Sequence, residues 1–169
     1  MPTDNHPLNV LFLCTHNSAR SVMAEALLNV LGQGRFRAYS AGSAPSGRVN
    51  PFAIEQAQRL GYSIDGLYSK SWDEYAQPGS TEMDIIITVC DNAAGEICPV
   101  WPGHPATAHW GFPDPSATQG SDDDKRAAFS QVCQSIRRAI DMLIALPPAQ
   151  CRPDTLPAEL RRIAAIACP

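Results

Sequence analysis

The chain has 169 residues, of which 44% are hydrophobic and 18% are charged. A chain of this length forms one domain with a core of its own, so it needs neither disulfides nor a metal ion to hold the fold together. Thirteen Lys and Arg against seventeen Asp and Glu give a net charge of −4. That charge argues against a nucleic-acid-binding surface but is compatible with one local anion site, so we expect a globular enzyme or binding domain.

Two features argue against a membrane or secreted protein. The longest apolar runs, such as residues 85–87, are far shorter than the ~20 residues that cross a bilayer. Residues 1–6 are polar, and no basic stretch leads into an apolar one, as it would in a secretory signal. We therefore expect a cytoplasmic protein with reduced cysteines and no membrane or nucleic-acid partner.

Strand and helix patterns alternate along the chain. Short apolar runs are typical of strands buried on both faces, and apolar residues at every third or fourth position are typical of helices. These patterns predict strands at residues 8–14, 36–40, 83–89 and 106–110, helices around residues 23–31, 51–60 and 122–143, and a short helix near residues 156–165. Such alternation implies a parallel, doubly wound sheet with the functional site at the carboxyl ends of its strands.

The segment CTHNSARS, from Cys14 to Ser21, lies between the first predicted strand and the first predicted helix. A loop of small and polar residues at a helix N-terminus directs backbone N–H groups at one point, and a tetrahedral oxyanion fits there. Arg20 could hold two of its oxygens. The same field favours the Cys14 thiolate, to which Ser21 could donate a hydrogen bond. The structural alternative is a buried Cys14 followed by a solvated Arg20.

Asp114 and two more cysteines also follow predicted strands. Asp114 stands in a loop stiffened by a proline on each side, where it could give a proton to a departing oxygen or simply be a turn residue. Cys90 ends the strand at residues 83–89, and Cys98 follows a segment of small residues. Because the first and third strands end at the same edge, Cys14, Cys90 and Cys98 could come within disulfide range; the alternative is ordinary buried cysteines.

The remaining cysteines have no predicted chemistry. Cys133 lies on the apolar face of the long helix, where core packing is expected. Cys151 and Cys168 lie in the segment after Pro147 and are assigned no role. The sequence has no CxxC pair and no histidine spacing typical of zinc sites, so no metal site is predicted.

CTHNSARS with a later Asp-Pro resembles the low-molecular-weight protein tyrosine phosphatase superfamily. Within it, CTHNSARSVMAEALLN, SKSWDE, TVCDNAAGEICPVWPG and HWGFPDPS are similar to the arsenate reductase branch. The resemblance implies an α/β fold of three layers, with a four-stranded parallel sheet in the order 2-1-3-4, in a domain of residues 1–146 followed by a tail of residues 147–169. The substrate would be bound by Thr15, His16, Asn17, Ser18, Ala19, Arg20 and Ser21.

The reaction implied by this resemblance is the reduction of arsenate to arsenite. Cys14 would attack arsenate, and Asp114 would protonate the leaving oxygen. Cys90 would then attack Cys14, and Cys98 would attack Cys90 and leave a Cys90–Cys98 disulfide. Thioredoxin or glutaredoxin would reduce that disulfide, with thioredoxin the expected partner, so no bound cofactor is expected.

Two other functions are alternatives to arsenate reduction. A tyrosine phosphatase would use Cys14, Arg20 and Asp114, but Ser116 stands where phosphatases of this family usually have an aromatic residue. A non-enzymatic thiol module that binds arsenite would leave Arg20 without a purpose. Some relatives bind potassium near the loop; Asn17, Glu25 and Ser40 match their ligands, but Ser63 replaces the expected acid.

Overall fold

The computed structural model of the protein describes residues 7–90, 101 and 103–168. Its centre is a four-stranded sheet in which all neighbouring strands are parallel and the order is β2-β1-β3-β4. The strands are β1 (Leu8–Cys14), β2 (Phe36–Gly42), β3 (Ile85–Thr88) and β4 (Ala106–His109). The predicted α/β class and strand order are confirmed.

Alternate residues of the central strand β1 pack against opposite layers. Val10, Phe12 and Cys14 belong to the larger core cluster, whereas Leu11 and Leu13 belong to a smaller one on the other face. All five side chains are buried. A strand that is covered on both faces explains why LNVLFLC is continuously apolar rather than alternating, and it produces the three-layer arrangement.

The helices are α1 (Arg20–Leu31), α2 (Pro51–Arg59), α3 (Asp73–Ala76), α4 (Asp122–Ile144) and α5 (Leu156–Ala167). Asn50 caps α2 by accepting a hydrogen bond from the Phe52 N–H, and Ser121 and Asp124 form a capping box at α4. The sequence did not predict α3, because four residues are too few for a helical apolar pattern. Within the described part of the chain, no helix is long and apolar enough to span a membrane.

The C-terminal helix α5 packs into the same core as the sheet. Leu156, Leu160, Ile163 and Ala167 are buried in the larger cluster, and Trp110 Nε1 donates a hydrogen bond to the Leu160 carbonyl (3.1 Å). The short helix predicted near residues 156–165 is therefore present and covers the end of β4. The boundary at residue 146 stays a prediction.

Replacing Leu160 by alanine tests this packing. Leu160 is fully buried, so Leu160→Ala should lower the free energy of unfolding by about 2–5 kcal/mol, measured by urea denaturation. Ile166→Ala on the same helix is the matched control, because Ile166 is 64% exposed and should change stability little. Equal, small effects of both variants would show that α5 does not stabilise the core.

Candidate active site

The anion loop (residues 14–21) is oriented by the chain segment that follows β2. Three of its carbonyls accept hydrogen bonds from backbone N–H groups of that segment: Thr15 from Ala44 (2.9 Å), His16 from Ser46 (3.1 Å) and Ser18 from Asn50 (2.9 Å). A carbonyl and the N–H of the next residue point in opposite directions across a peptide plane. The N–H groups of His16, Asn17 and Ala19 therefore point away from this segment and towards the inside of the loop, where the N-terminus of α1 adds positive potential.

Asn17 and Gly42 set the curvature of the anion loop. Asn17 is fully buried with a φ of 48°, and its side chain donates from Nδ2 to Ser21 Oγ (2.9 Å) and accepts at Oδ1 from the Lys70 N–H (2.9 Å). A Cβ on Gly42 would lie 2.5 Å from the Thr15 carbonyl oxygen and 2.9 Å from the Asn17 nitrogen. The end of β2 therefore accepts only glycine without displacing the loop.

The structure brings Cys14 and Cys90 together, as the sequence predicted. Cys14 ends β1, Cys90 lies just beyond β3, and these two strands are neighbours in the sheet. Both side chains are buried and share a hydrogen bond, and Thr15 Oγ1 lies 3.6 Å from Cys90 Sγ. Cys98, the third predicted thiol, lies outside the described residues.

The ionisation of Cys14 differs from the prediction that the loop favours its thiolate. The hydrogen bond with Cys90 and burial raise the pKa of the Cys14 thiol, while the Arg20 guanidinium and the Thr15 N–H act in the opposite direction. Two hydrogen-bonded thiols lose their two protons in coupled steps, and the second proton is harder to remove than the first. The neighbouring thiol and burial together therefore outweigh Arg20 and the Thr15 N–H at Cys14.

Arg20 joins the anion loop to the loop that carries Asp114. Its Nη1 donates to the Phe112 carbonyl (3.0 Å), and its Nη2 lies 3.7 Å from Asp114 Oδ2. Arg20 Nε is buried and has no hydrogen-bond partner among the described residues. A buried N–H donor of this kind suits an oxyanion held in the loop.

Asp114 is held at the rim of the site by Ser116. Asp114 Oδ1 accepts hydrogen bonds from the Ser116 N–H (2.9 Å) and hydroxyl (2.6 Å), and it caps the turn Pro115–Ala117. The other carboxylate oxygen faces Arg20. The sequence treated Ser116 only as a difference from phosphatases, whereas here its hydroxyl and N–H orient the acid.

The other predicted residues occupy distinct environments. Ala19 and Ser21 are buried, Ser18 is half-buried, and His16 is exposed on the outside of the loop. Cys133 is buried on α4 in the core, where burial raises the pKa of its thiol to about 11, as expected for a packing residue. Cys151 and Cys168 pack against the edge of the same cluster.

A polar cluster behind the loop consists of Glu25, Ser40, Tyr62 and Lys70. The sequence singled out Glu25 and Ser40 but not Tyr62 or Lys70. Lys70 Nζ donates to the Ser40 carbonyl (3.0 Å), and Ser40 Oγ donates to Glu25 Oε1 (2.8 Å). Lys70 follows Ser69 in a loop without any periodic pattern, so only the fold could place it there.

The donor set does not fit the potassium ion that some relatives bind. Both polar atoms of the Asn17 side chain have partners, and the Ser40 carbonyl accepts from the Lys70 ammonium. Ser63, in place of the expected acid, is exposed and accepts from the Asp65 N–H (3.4 Å). Across the residues that the structure covers, no group of three or more His, Cys, Asp or Glu could hold a metal ion.

Comparisons with known proteins place the chain among sequence relatives and solved structures. The family described as low molecular weight phosphotyrosine protein phosphatase matches residues 9–154. An arsenate reductase of Halalkalibacterium halodurans is 36% identical over 131 residues, which cover 78% of this chain and 91% of that protein.

Solved structures share the fold. An arsenate reductase in the reduced state superimposes with a TM-score of 0.62 at 26% identity, covering 82% of this chain and 97% of the other. A thioredoxin-dependent arsenate reductase of Corynebacterium glutamicum gives a TM-score of 0.56 at 23% identity, covering 83% of this chain and 65% of the other. At 23% identity, the similarity to the Corynebacterium glutamicum protein is one of fold alone.

Removing the Cys90 thiol should make Cys14 easier to ionise. Cys90→Ala deletes the largest cause of the raised pKa of Cys14 and leaves Arg20 in place, so the pKa should fall. The rate at which iodoacetamide alkylates Cys14, followed by mass spectrometry across pH, should reach its midpoint at lower pH than in the unchanged protein. Cys133→Ala serves as the control and should not move the midpoint. An unchanged midpoint in Cys90→Ala would contradict the coupling of the two thiols.

Proposed function

We propose that this chain, which belongs to the low molecular weight phosphotyrosine protein phosphatase family, reduces arsenate to arsenite. The observation that carries the proposal is the Cys90 thiol in hydrogen-bond contact with Cys14, at the inner end of the anion loop. Hydrolysis of a phosphate ester needs one nucleophilic sulfur, whereas a reduction by thiols needs a second sulfur that can reach the first. The similarity to curated arsenate reductases over most of the chain supports the same conclusion.

The first step uses the loop, Arg20 and Asp114. Arsenate in the loop accepts hydrogen bonds from inward N–H groups and from Arg20 Nε, which places its arsenic in front of Cys14. The Cys14 thiolate forms a bond to arsenic, and one arsenate oxygen leaves as water after Asp114 supplies a proton. Arsenic is still in its oxidised state at this point, because a sulfur ligand has only replaced an oxygen.

The second step transfers two electrons. Cys90 attacks the sulfur of Cys14, the sulfur–arsenic bond breaks, and its electron pair stays on arsenic, which leaves as arsenite. The product on the protein is a Cys14–Cys90 disulfide. The proximity of the two thiols supports this step, because an attack within one site avoids the entropic cost of bringing the sulfurs together.

The third step returns Cys14 to its thiol form. Cys98 attacks Cys90, which forms a Cys90–Cys98 disulfide, and an external dithiol then reduces that bond. We propose thioredoxin as this dithiol, with glutaredoxin as the alternative, in line with the thioredoxin-dependent arsenate reductase that shares the fold. The two electrons then come from thiols, so the proposal requires no bound cofactor. A relay of free thiols works only in a reducing compartment, so we propose a cytoplasmic location.

A tyrosine phosphatase is the second candidate function. It is favoured by the family match and by Asp114, which lies beside Arg20 and is held in place by Ser116. In such an enzyme Asp114 would protonate the leaving phenol, and Cys90 would have no chemical role. Arsenate and phosphate are close in shape and charge, so weak hydrolysis of aryl phosphates is compatible with a reductase.

The Cys90→Ser variant separates the two functions. With arsenate, thioredoxin, thioredoxin reductase and its nicotinamide cofactor, the unchanged protein should consume reducing equivalents, and Cys90→Ser should lose turnover to the background level. The reason is that arsenite cannot leave without attack on Cys14. Cys133→Ala is the matched control and should keep its activity, because Cys133 lies in the core away from the loop. Sustained turnover by Cys90→Ser would refute the relay.

Two further measurements complete the test. In a Cys98→Ser variant treated with arsenate, mass spectrometry should find a Cys14–Cys90 disulfide, because the next attack is blocked. The aryl phosphatase activity of Cys90→Ser should be weak. Vigorous hydrolysis together with no arsenate-dependent oxidation of the unchanged protein would identify a phosphatase instead.

A further inference from the structure

The polar cluster of Glu25, Ser40, Tyr62 and Lys70 contains a carboxylate and an ammonium that are both removed from solvent. Glu25 is 7% exposed and Lys70 is 6% exposed. Glu25 lies on α1, little more than one turn after Arg20, so its charge is close to the end of the helix that faces the anion loop. Burying both charges costs desolvation energy, so the pair adds little to the stability of the fold.

Lys70 contacts both the anion loop and the carboxylate network. Its backbone N–H donates to Asn17 Oδ1 (2.9 Å), and its Nζ donates to the carbonyls of Ser40 and Tyr68 (both 3.0 Å). Nζ also lies 4.3 Å from the centre of the Tyr68 ring, a cation–π contact. Glu25 in turn accepts from Ser40 Oγ (2.8 Å) and the Tyr62 hydroxyl (2.9 Å), so Ser40 bridges the two charges.

The buried charges of Glu25 and Lys70 affect how well the nearby anion loop can hold a negative ion. Burial raises the pKa of Glu25, and the Lys70 ammonium opposes that rise. Burial lowers the pKa of Lys70, and Glu25 opposes it, so each charge favours the ionised form of the other. An ionised Glu25 without Lys70 would place an uncompensated negative charge behind a site built for an anion, where the low dielectric strengthens the repulsion.

We propose that Lys70 is a built-in counter-ion, which neutralises Glu25 and so allows the anion loop to bind a doubly charged oxyanion. It is a positioning residue, because it acts through Glu25 and Asn17 and not on the substrate. The inference rests on the proposed function only in that the loop binds an oxyanion.

The test measures the affinity for inorganic phosphate by isothermal titration calorimetry on the reduced protein. Lys70→Met keeps the backbone N–H that holds Asn17 but removes the charge, and it should weaken phosphate binding about tenfold. Lys70→Arg keeps the charge and should bind within about twofold of the unchanged protein. The double variant Glu25→Gln/Lys70→Met should regain the affinity that Lys70→Met loses, because both charges are gone.

The double variant separates compensation of charge from a merely structural role. If Lys70 acted only through its hydrogen bonds, the double variant would bind phosphate as weakly as Lys70→Met, and the proposal would be wrong. If Lys70→Met does not fold, as judged by thermal unfolding, the comparison of the double variant with the unchanged protein decides, because the pair carries no net charge in either. Equal affinities of these two support the proposal, and weaker binding by the double variant contradicts it.

Replacing the salt provides an independent measurement. The unchanged protein should bind phosphate equally well in potassium chloride and in tetramethylammonium chloride at the same ionic strength. A specific strengthening by potassium would overturn the assignment of Lys70 as the counter-ion. Phosphate binding requires no turnover, so a protein that fails to reduce arsenate counts against the proposed function and leaves this test intact.

Discussion

The orientation of three peptide planes in the anion loop is the constraint on which the rest of the site depends. Their carbonyls are held by the N–H groups of Ala44, Ser46 and Asn50, so the following N–H groups face inwards. Gly42 allows the end of β2 to come close enough for this, and the left-handed conformation of Asn17 turns the chain. The loop is therefore preorganised by backbone contacts, and in the proposed function the side chains of Arg20 and Asp114 add charge and a proton donor at its rim.

Two sulfurs at the bottom of one anion loop give the site its chemical character. Cys14 ends β1, and Cys90 lies two residues beyond the end of β3, its parallel neighbour, so the sheet brings the two sulfurs to the same edge. Their shared hydrogen bond raises the pKa of Cys14, and the Arg20 guanidinium opposes that rise. The arrangement suits a sequence of reactions in which one sulfur meets the oxyanion and the other meets the first sulfur.

Much of the fold follows from local patterns. The continuously apolar run of β1 and the capping residues of α2 and α4 are signals that act within a few residues, so they can be read along the chain. The placement of Cys14 and Arg20 follows from the same order of strand, loop and helix. The strand predicted at residues 83–89 is shorter in the structure, although the N–H groups of Asp84 and Val89 still donate to β1 carbonyls.

The sequence by itself determined the class of fold, the anion loop and the meeting of Cys14 with Cys90, because each depends on the order of elements and on where strands end. Only the tertiary structure decided that Ser40 links Lys70 to Glu25, that Ser116 holds Asp114 and that Cys90 outweighs Arg20 at Cys14. These outcomes depend on distances between segments far apart in the chain and on burial. Neither quantity has a periodic signature, so no pattern of residue types could have shown them.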